Sequence, residues 1–126
     1  MILLDTHILL WWQETPEELP ARYKAILDTT TEELAISAIT CWEISLLLKK
    51  NRLELPLPYS KWIRIAIREV TILPLSLEVI DEVHNLPEEF HPDPADRIIA
   101  ATSIAHKIKL ATTDGKMTDY KFLNIL

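Results

Sequence analysis

Four carboxylates stand where an α/β chain can gather them. Asp5 closes the apolar run Ile2, Leu3, Leu4, the pattern of a buried strand whose last residue meets solvent, and Asp114 follows a second, short strand candidate at 108–112. In a parallel sheet both acids should emerge at the carboxyl edge, where ligands of open α/β sheets sit. Asp96 lies in the first turn of the helix expected to feed that second strand, and such a helix starts at the same edge. Glu43 shares a helical face with Ile39, Leu46 and Leu47, and a carboxylate turned inward needs a partner. Drawn together, the four acids repel and raise one another's pKa unless a cation joins them. Mg²⁺ or Mn²⁺ takes oxygen ligands and keeps several waters, a combination suited to phosphodiester hydrolysis.

Asp93 has a simpler first role. It precedes Pro94, a residue suited to the first helical position, and Asp96 in the next turn complements the helix dipole, so Asp93 reads as an N-cap. Whether it is also a ligand stays open on these grounds.

The elements that must position these acids follow from periodicity and punctuation. Short strands are expected at 2–4, 34–36, 71–75 and 108–112, with a last one at 122–126. Helices are expected at 7–12, 21–27, 59–70, 76–86 and 94–107, together with one that Ser37 caps and that runs to about Lys50. The stretch LELPLP is a proline-punctuated connector, and a loop is expected at Asp114 and Gly115. Strands alternating with helices predict a parallel sheet covered on both faces.

The bulk properties bound the rest. At 126 residues with 48% hydrophobic content, the chain is expected to form one domain, residues 1–126, with enough apolar material for a core. No apolar run approaches the ~20 residues of a membrane span, and MILLDTH lacks the basic flank of a signal peptide, so a cytoplasmic protein is expected. One cysteine, Cys41, excludes an internal disulfide framework and reads as a buried structural thiol. The net charge of −6 disfavours diffuse attraction to polyanions, although acids clustered on a cation would account for part of it.

Three segments carry a resemblance to a known family. MILLDTHILLWW, AISAITCWEIS and HPDPADRIIAATSIAHKIKLATTD resemble, in order and spacing, the four acidic motifs of the PIN domain, and especially of VapC-like toxins of toxin–antitoxin pairs. The match covers nearly the whole chain. The resemblance implies a three-layer α/β/α sandwich with a short central parallel sheet, and metal-binding acids at Asp5, Glu43, Asp96 and Asp114. It implies hydroxyls at Thr6 and Thr112 that orient acids or waters, while turn capping explains those two residues equally well. It further implies a Mg²⁺- or Mn²⁺-dependent endoribonuclease that cleaves RNA with a metal-activated water, a cognate antitoxin, and a homodimer. The alternative is a catalytically silent PIN-like module that binds RNA or a protein, against which the presence of all four acids argues.

Other residues are weaker candidates. Arg97, beside Asp96, is a candidate phosphate contact or brace for the acids, with a salt bridge as its default role. His7 lies near the Asp5 loop and is a candidate substrate contact, whereas none of His84, His91 and His106 is assigned a catalytic role. Lys49, Lys50 and Arg52, and separately Lys61, Arg64 and Arg68, offer an RNA-backbone track, although a helix C-terminus and a solvated face explain them as well. Trp11 and Trp12 are adjacent and cannot both enter one core from a helix, so one of them is expected to face a partner. A haloacid-dehalogenase-like phosphatase would need a second Asp where His7 stands, and the single glycine, Gly115, disfavours phosphate loops.

Overall fold

In the computed structural model, which describes residues 1–126, four short strands form one parallel sheet. They are β1 (Ile2–Leu4), β2 (Leu34–Ser37), β3 (Val70–Leu73) and β4 (Lys109–Ala111), in the order β3-β2-β1-β4. Leu3 of the inner strand β1 pairs with Ala35 on one side and Leu110 on the other.

The helices are α1 (Thr6–Glu14), α2 (Ala21–Thr29), α3 (Ala38–Lys49), α4 (Tyr59–Ala66), α5 (Leu77–Asn85), α6 (Pro94–His106) and α7 (Gly115–Thr118). They cover both faces of the sheet, and the strands' side chains sort by parity because successive residues point to opposite faces. Ile2, Leu4, Leu34, Ile36 and Ala111 join one core with Ile8, Leu9, Leu27, Ile44 and Trp62 of α1–α4. Leu3, Ala35 and Leu110 join the other with Val79 of α5, Ile99 and Ala100 of α6, and Met117 of α7. Two covered faces explain why β1 reads as an unbroken apolar run rather than an alternating one. The expected three-layer sandwich is the observed one.

Several boundaries differ from expectation, among them β3, which runs Val70–Leu73 rather than 71–75 and stops before Pro74, which has no N–H to pair. The helix expected to reach Val70 ends at Ala66, because Ile67 closes it and the Val70 amide turns back to the Ile67 carbonyl, which frees Val70 to open β3. The segment 122–126 gives one parallel bridge, Leu110 with Ile125, instead of a strand. The loop expected at Gly115 is a short helix, α7, capped by Asp114. No helix is long and apolar enough to cross a membrane.

The topology brings four helix N-termini to one place. α1, α3 and α7 start where β1, β2 and β4 end, and α6 starts at the same edge before leading into β4. The positive ends of these helix dipoles favour carboxylates there.

Candidate metal centre

Asp5 caps α1: its Oδ1 accepts the Thr6 N–H at 2.8 Å, and its Oδ2 accepts the Thr112 hydroxyl at 2.7 Å. Thr112 Oγ1 also accepts the Asp114 N–H at 3.0 Å, so one hydroxyl ties together the acids that end β1 and β4. Asp114 Oδ1 in turn caps α7, accepting the Lys116 and Met117 amides at 2.9 and 3.2 Å. On α3, Glu43 Oε1 accepts the Thr6 hydroxyl at 2.5 Å. That spends Thr6's single proton, so in the 3.0 Å contact between Thr6 and Thr40 hydroxyls it is Thr40 that donates. Every buried side-chain polar atom in the molecule has a partner.

Asp93 caps α6, its Oδ1 accepting the Asp96 amide at 3.0 Å. It is more than punctuation in position, since oxygens of Glu43, Asp93 and Asp96 lie within 4.8 Å of one another. A second group at that spacing joins Asp96 to Asp114 and His91. Asp5 belongs to neither group; both its oxygens are turned to hydroxyl and amide donors at the cavity floor.

The acids surround a cavity of about 430 Å³ lined by Asp5, Glu43, Asp93, Asp96 and Asp114 with His7, Trp11, Leu47 and Thr113. Five carboxylates line it and no lysine or arginine does. Burial raises the pKa of Asp5 against the pull of Thr112 and Thr6, with Asp114 adding to the rise. Burial likewise raises Glu43, assisted by Asp93 and Asp5. Asp96 is pushed up to about 7 by burial and then by the charges of Asp5 and Asp93. Asp114 is the exception: burial raises it, but the hydrogen bond from His91 and the amides of Met117 and Lys116 together carry it below the usual range. The donor set fits a hard divalent cation, which takes carboxylate oxygens and relieves their repulsion.

Of the residues singled out in the sequence, Asp5, Glu43, Asp93, Asp96, Asp114 and His7 share the cavity, and Thr6 and Thr112 hold its acids from beneath. Arg97 does otherwise. It makes no ion pair; its guanidinium donates to the carbonyls of Pro87 at 3.0 Å and His91 at 3.1 Å, with longer contacts to Leu86 and Glu88. With four carbonyls of the 86–91 loop as its partners, Arg97 braces the wall of the site. Arg52 lines a neighbouring cavity that shares His7, Trp11 and Leu47 with the acidic one.

Trp11 lines the acidic cavity with its ring 5.8 Å from that of His7, and Trp12 donates to Asp28. The exposed tryptophan is Trp42. The residue that sequence reasoning missed is His91, which is buried and contacts both Asp96 and Asp114. Its signal was the His-Pro-Asp order: a residue before proline is held extended, which sets the ring beside the Asp93 amide.

The PIN domain family model matches residues 2–123. Over 120 residues the chain is 31% identical to Ribonuclease VapC22 of Mycobacterium tuberculosis, an alignment spanning 95% of this chain and 92% of that protein. Among solved structures it is similar to VapBC2 from Rickettsia felis bound to a DNA fragment from their promoter, with a TM-score of 0.78 and 21% identity over 100% of this chain and 98% of that one. It is also similar to a toxin-antitoxin complex from Klebsiella pneumoniae, with a TM-score of 0.69 and 22% identity over 98% of this chain and 95% of that one.

Proposed function

Since the chain belongs to the PIN domain family, we propose that it is an endoribonuclease, the toxin of a toxin–antitoxin pair, whose Asp5, Glu43, Asp96 and Asp114 hold Mg²⁺ or Mn²⁺. One observation carries the metal reading: five carboxylates line one cavity with no lysine or arginine among them. Kinship with a ribonuclease, Ribonuclease VapC22, supports RNA as the substrate. A bound cation supplies positive charge to a phosphodiester's oxygens and lowers the pKa of an attacking water.

The chain's own residues do the rest. Thr6 fixes the rotamer of Glu43, and Thr112 fixes Asp5 and Asp114 relative to each other. Asp93 stands beside Glu43 and Asp96 as a cap that can also face the cation. His7 and Arg52, which line one cavity beside the acids, are the proposed contacts to the RNA backbone. The antitoxin is the proposed partner, supported by the likeness to toxin–antitoxin assemblies, and a homodimer in the cytoplasm is the proposed working form.

The test is to incubate purified, antitoxin-free protein with total RNA and Mg²⁺ or Mn²⁺, beside an EDTA control, and map the fragment ends. Water attacking in line at phosphorus expels the 3′-oxygen, so discrete cuts with 5′-phosphate and 3′-hydroxyl ends are expected, absent under EDTA. Cyclic phosphate ends formed without metal would replace this mechanism with attack by the RNA's own 2′-hydroxyl. A folded, metal-loaded protein that cuts nothing would point to the silent binding module.

A further inference from the structure

The buried ring of His91 lies between two of the acids and makes contacts on both sides. Its Nε2 is 2.9 Å from Asp114 Oδ2 and 3.2 Å from Asp96 Oδ2. On the opposite side, Nδ1 is 3.1 Å from the backbone nitrogen of Asp93. A backbone N–H can only donate, so Nδ1 must present its lone pair, and the ring's one proton sits on Nε2. An imidazolium has no acceptor and does not fit this geometry. We infer that His91 is a neutral hydrogen-bond donor, shared by Asp96 and Asp114, which sets the spacing of these two carboxylates for the cation and is not itself a ligand.

The inference rests on reading the acids as a metal centre, and it deepens that reading. Histidines that ligate metals turn their second nitrogen, as N–H, toward an acceptor. Here the second nitrogen faces a donor, so ligation through Nε2 would require an imidazolate or the loss of the Asp93 bond. The placement is also enforced from behind. Arg97 of α6 grips the carbonyls of Pro87 and His91, and Pro92 holds His91 extended. Arg97 thus fixes the 86–91 loop, the loop fixes the ring, and one proton ties the start of α6 to the turn after β4.

The ring's protonation is directly visible. Long-range ¹⁵N–¹H spectra of the wild type, metal-free and with Mg²⁺, are expected to show a protonated Nε2 and a bare Nδ1 in both states. An Nε2 that loses its proton when Mg²⁺ is added, or an Nδ1 that carries one, would make the ring a ligand and overturn the inference. Two variants separate the ring's two sides in a calorimetric Mn²⁺ titration. His91→Gln places an amide N–H where Nε2 stands and should keep Mn²⁺ affinity within about 3-fold, whereas His91→Asn reaches only the Asp93 amide and should weaken binding by roughly 10-fold. Equal affinities in the two variants would overturn the positioning role. A wild type that takes up neither ion would overturn the metal reading itself, an outcome distinct from a bound ion with the wrong tautomer.

Discussion

The two ends of the sheet carry acids around cavities of similar size, about 430 Å³ at the carboxyl edge and about 410 Å³ at the amino edge. At the amino edge the acids are Asp28, Glu32, Glu33 and Glu69. Cations answer two of them: Lys24 Nζ stands 2.7 Å from Asp28, while the terminal amine at 3.3 Å and Lys109 at 3.9 Å serve Glu32. Glu33 accepts the Thr71 hydroxyl. The carboxyl of Asp28 is lowered by the hydrogen bonds from Lys24 and Trp12. At the carboxyl edge the donors are hydroxyls, amides and a neutral ring, and Asp5, Glu43 and Asp96 are all raised by burial. The number of acids is therefore no guide to a metal centre. What separates the two ends is whether the protein supplies the compensating charge itself.

The largest expected difference between them is catalytic. Asp5→Asn keeps the size of the side chain and removes its charge, and should lower RNA cleavage by about 10²-fold or more. Glu33→Gln makes the same chemical change at the other end and should leave the rate at that of the wild type. Rates of fragment formation on one RNA, measured for both variants at saturating Mn²⁺, test the pair. Equal losses would show that charge alone, not its place, governs the activity.

The next difference is in stability: Asp5, Glu43 and Asp96 at the carboxyl edge act with the opposite sign to Asp28 at the amino edge, while Asp114, also lowered, acts with Asp28. Asp96 has a folded pKa raised from 3.8 to about 7, so between those values the native protein holds a proton that the unfolded chain has released. Metal-free stability should then fall as pH rises from about 4 to about 7 and level off above, with Asp5 and Glu43 acting in the same direction. Asp28, whose folded pKa is lowered, works the other way: its contribution is present above its unfolded pKa and lost as pH falls through the folded one. Thermal melts of metal-free protein across this range should show the fall, and Asp96→Asn should flatten it. Added Mg²⁺ should raise the melting temperature most at pH 7 and above, where it no longer competes with protons. A flat profile in the wild type would mean that the acids are not crowded as the structure has them.

How much of this was legible in the sequence follows from how local each signal is. Asp5 ends an apolar run, and an abrupt passage from buried strand to carboxylate marks a strand end without knowledge of the fold, while Asp114 follows its strand after two threonines. Glu43 was legible because a charge on an otherwise apolar helical face violates the pattern around it. The parity of β1 and β2, with Leu3 and Ala35 in one core and their neighbours in the other, was legible only as unbroken hydrophobicity. Which of its offered roles Arg97 takes was not legible, because its four carbonyl acceptors lie on 86–91, a loop whose path depends on α5 docking against α6. His91 was passed over for the same reason. Its local half, the contact with the Asp93 amide, was implicit in His-Pro-Asp, but its distance to Asp114, 23 residues on, depends on the tertiary fold.

The smallest expected effect tests the amino edge itself. Glu32 and Lys109 are exposed and Met1 is only half-buried, so water and salt screen the attraction and side-chain entropy opposes it. Glu32→Gln should change stability by no more than about 0.5 kcal/mol, and raising the salt concentration should erase even that difference. The informative outcome is the sign. A carboxylate compensated by two cations loses something when neutralised, however little, whereas a crowded and uncompensated one gains. If Glu32→Gln stabilised the protein at pH 7, as Asp96→Asn should in the absence of metal, then the amino edge would also be a set of acids in want of a cation. The contrast between the ends of the sheet would then be one of burial alone.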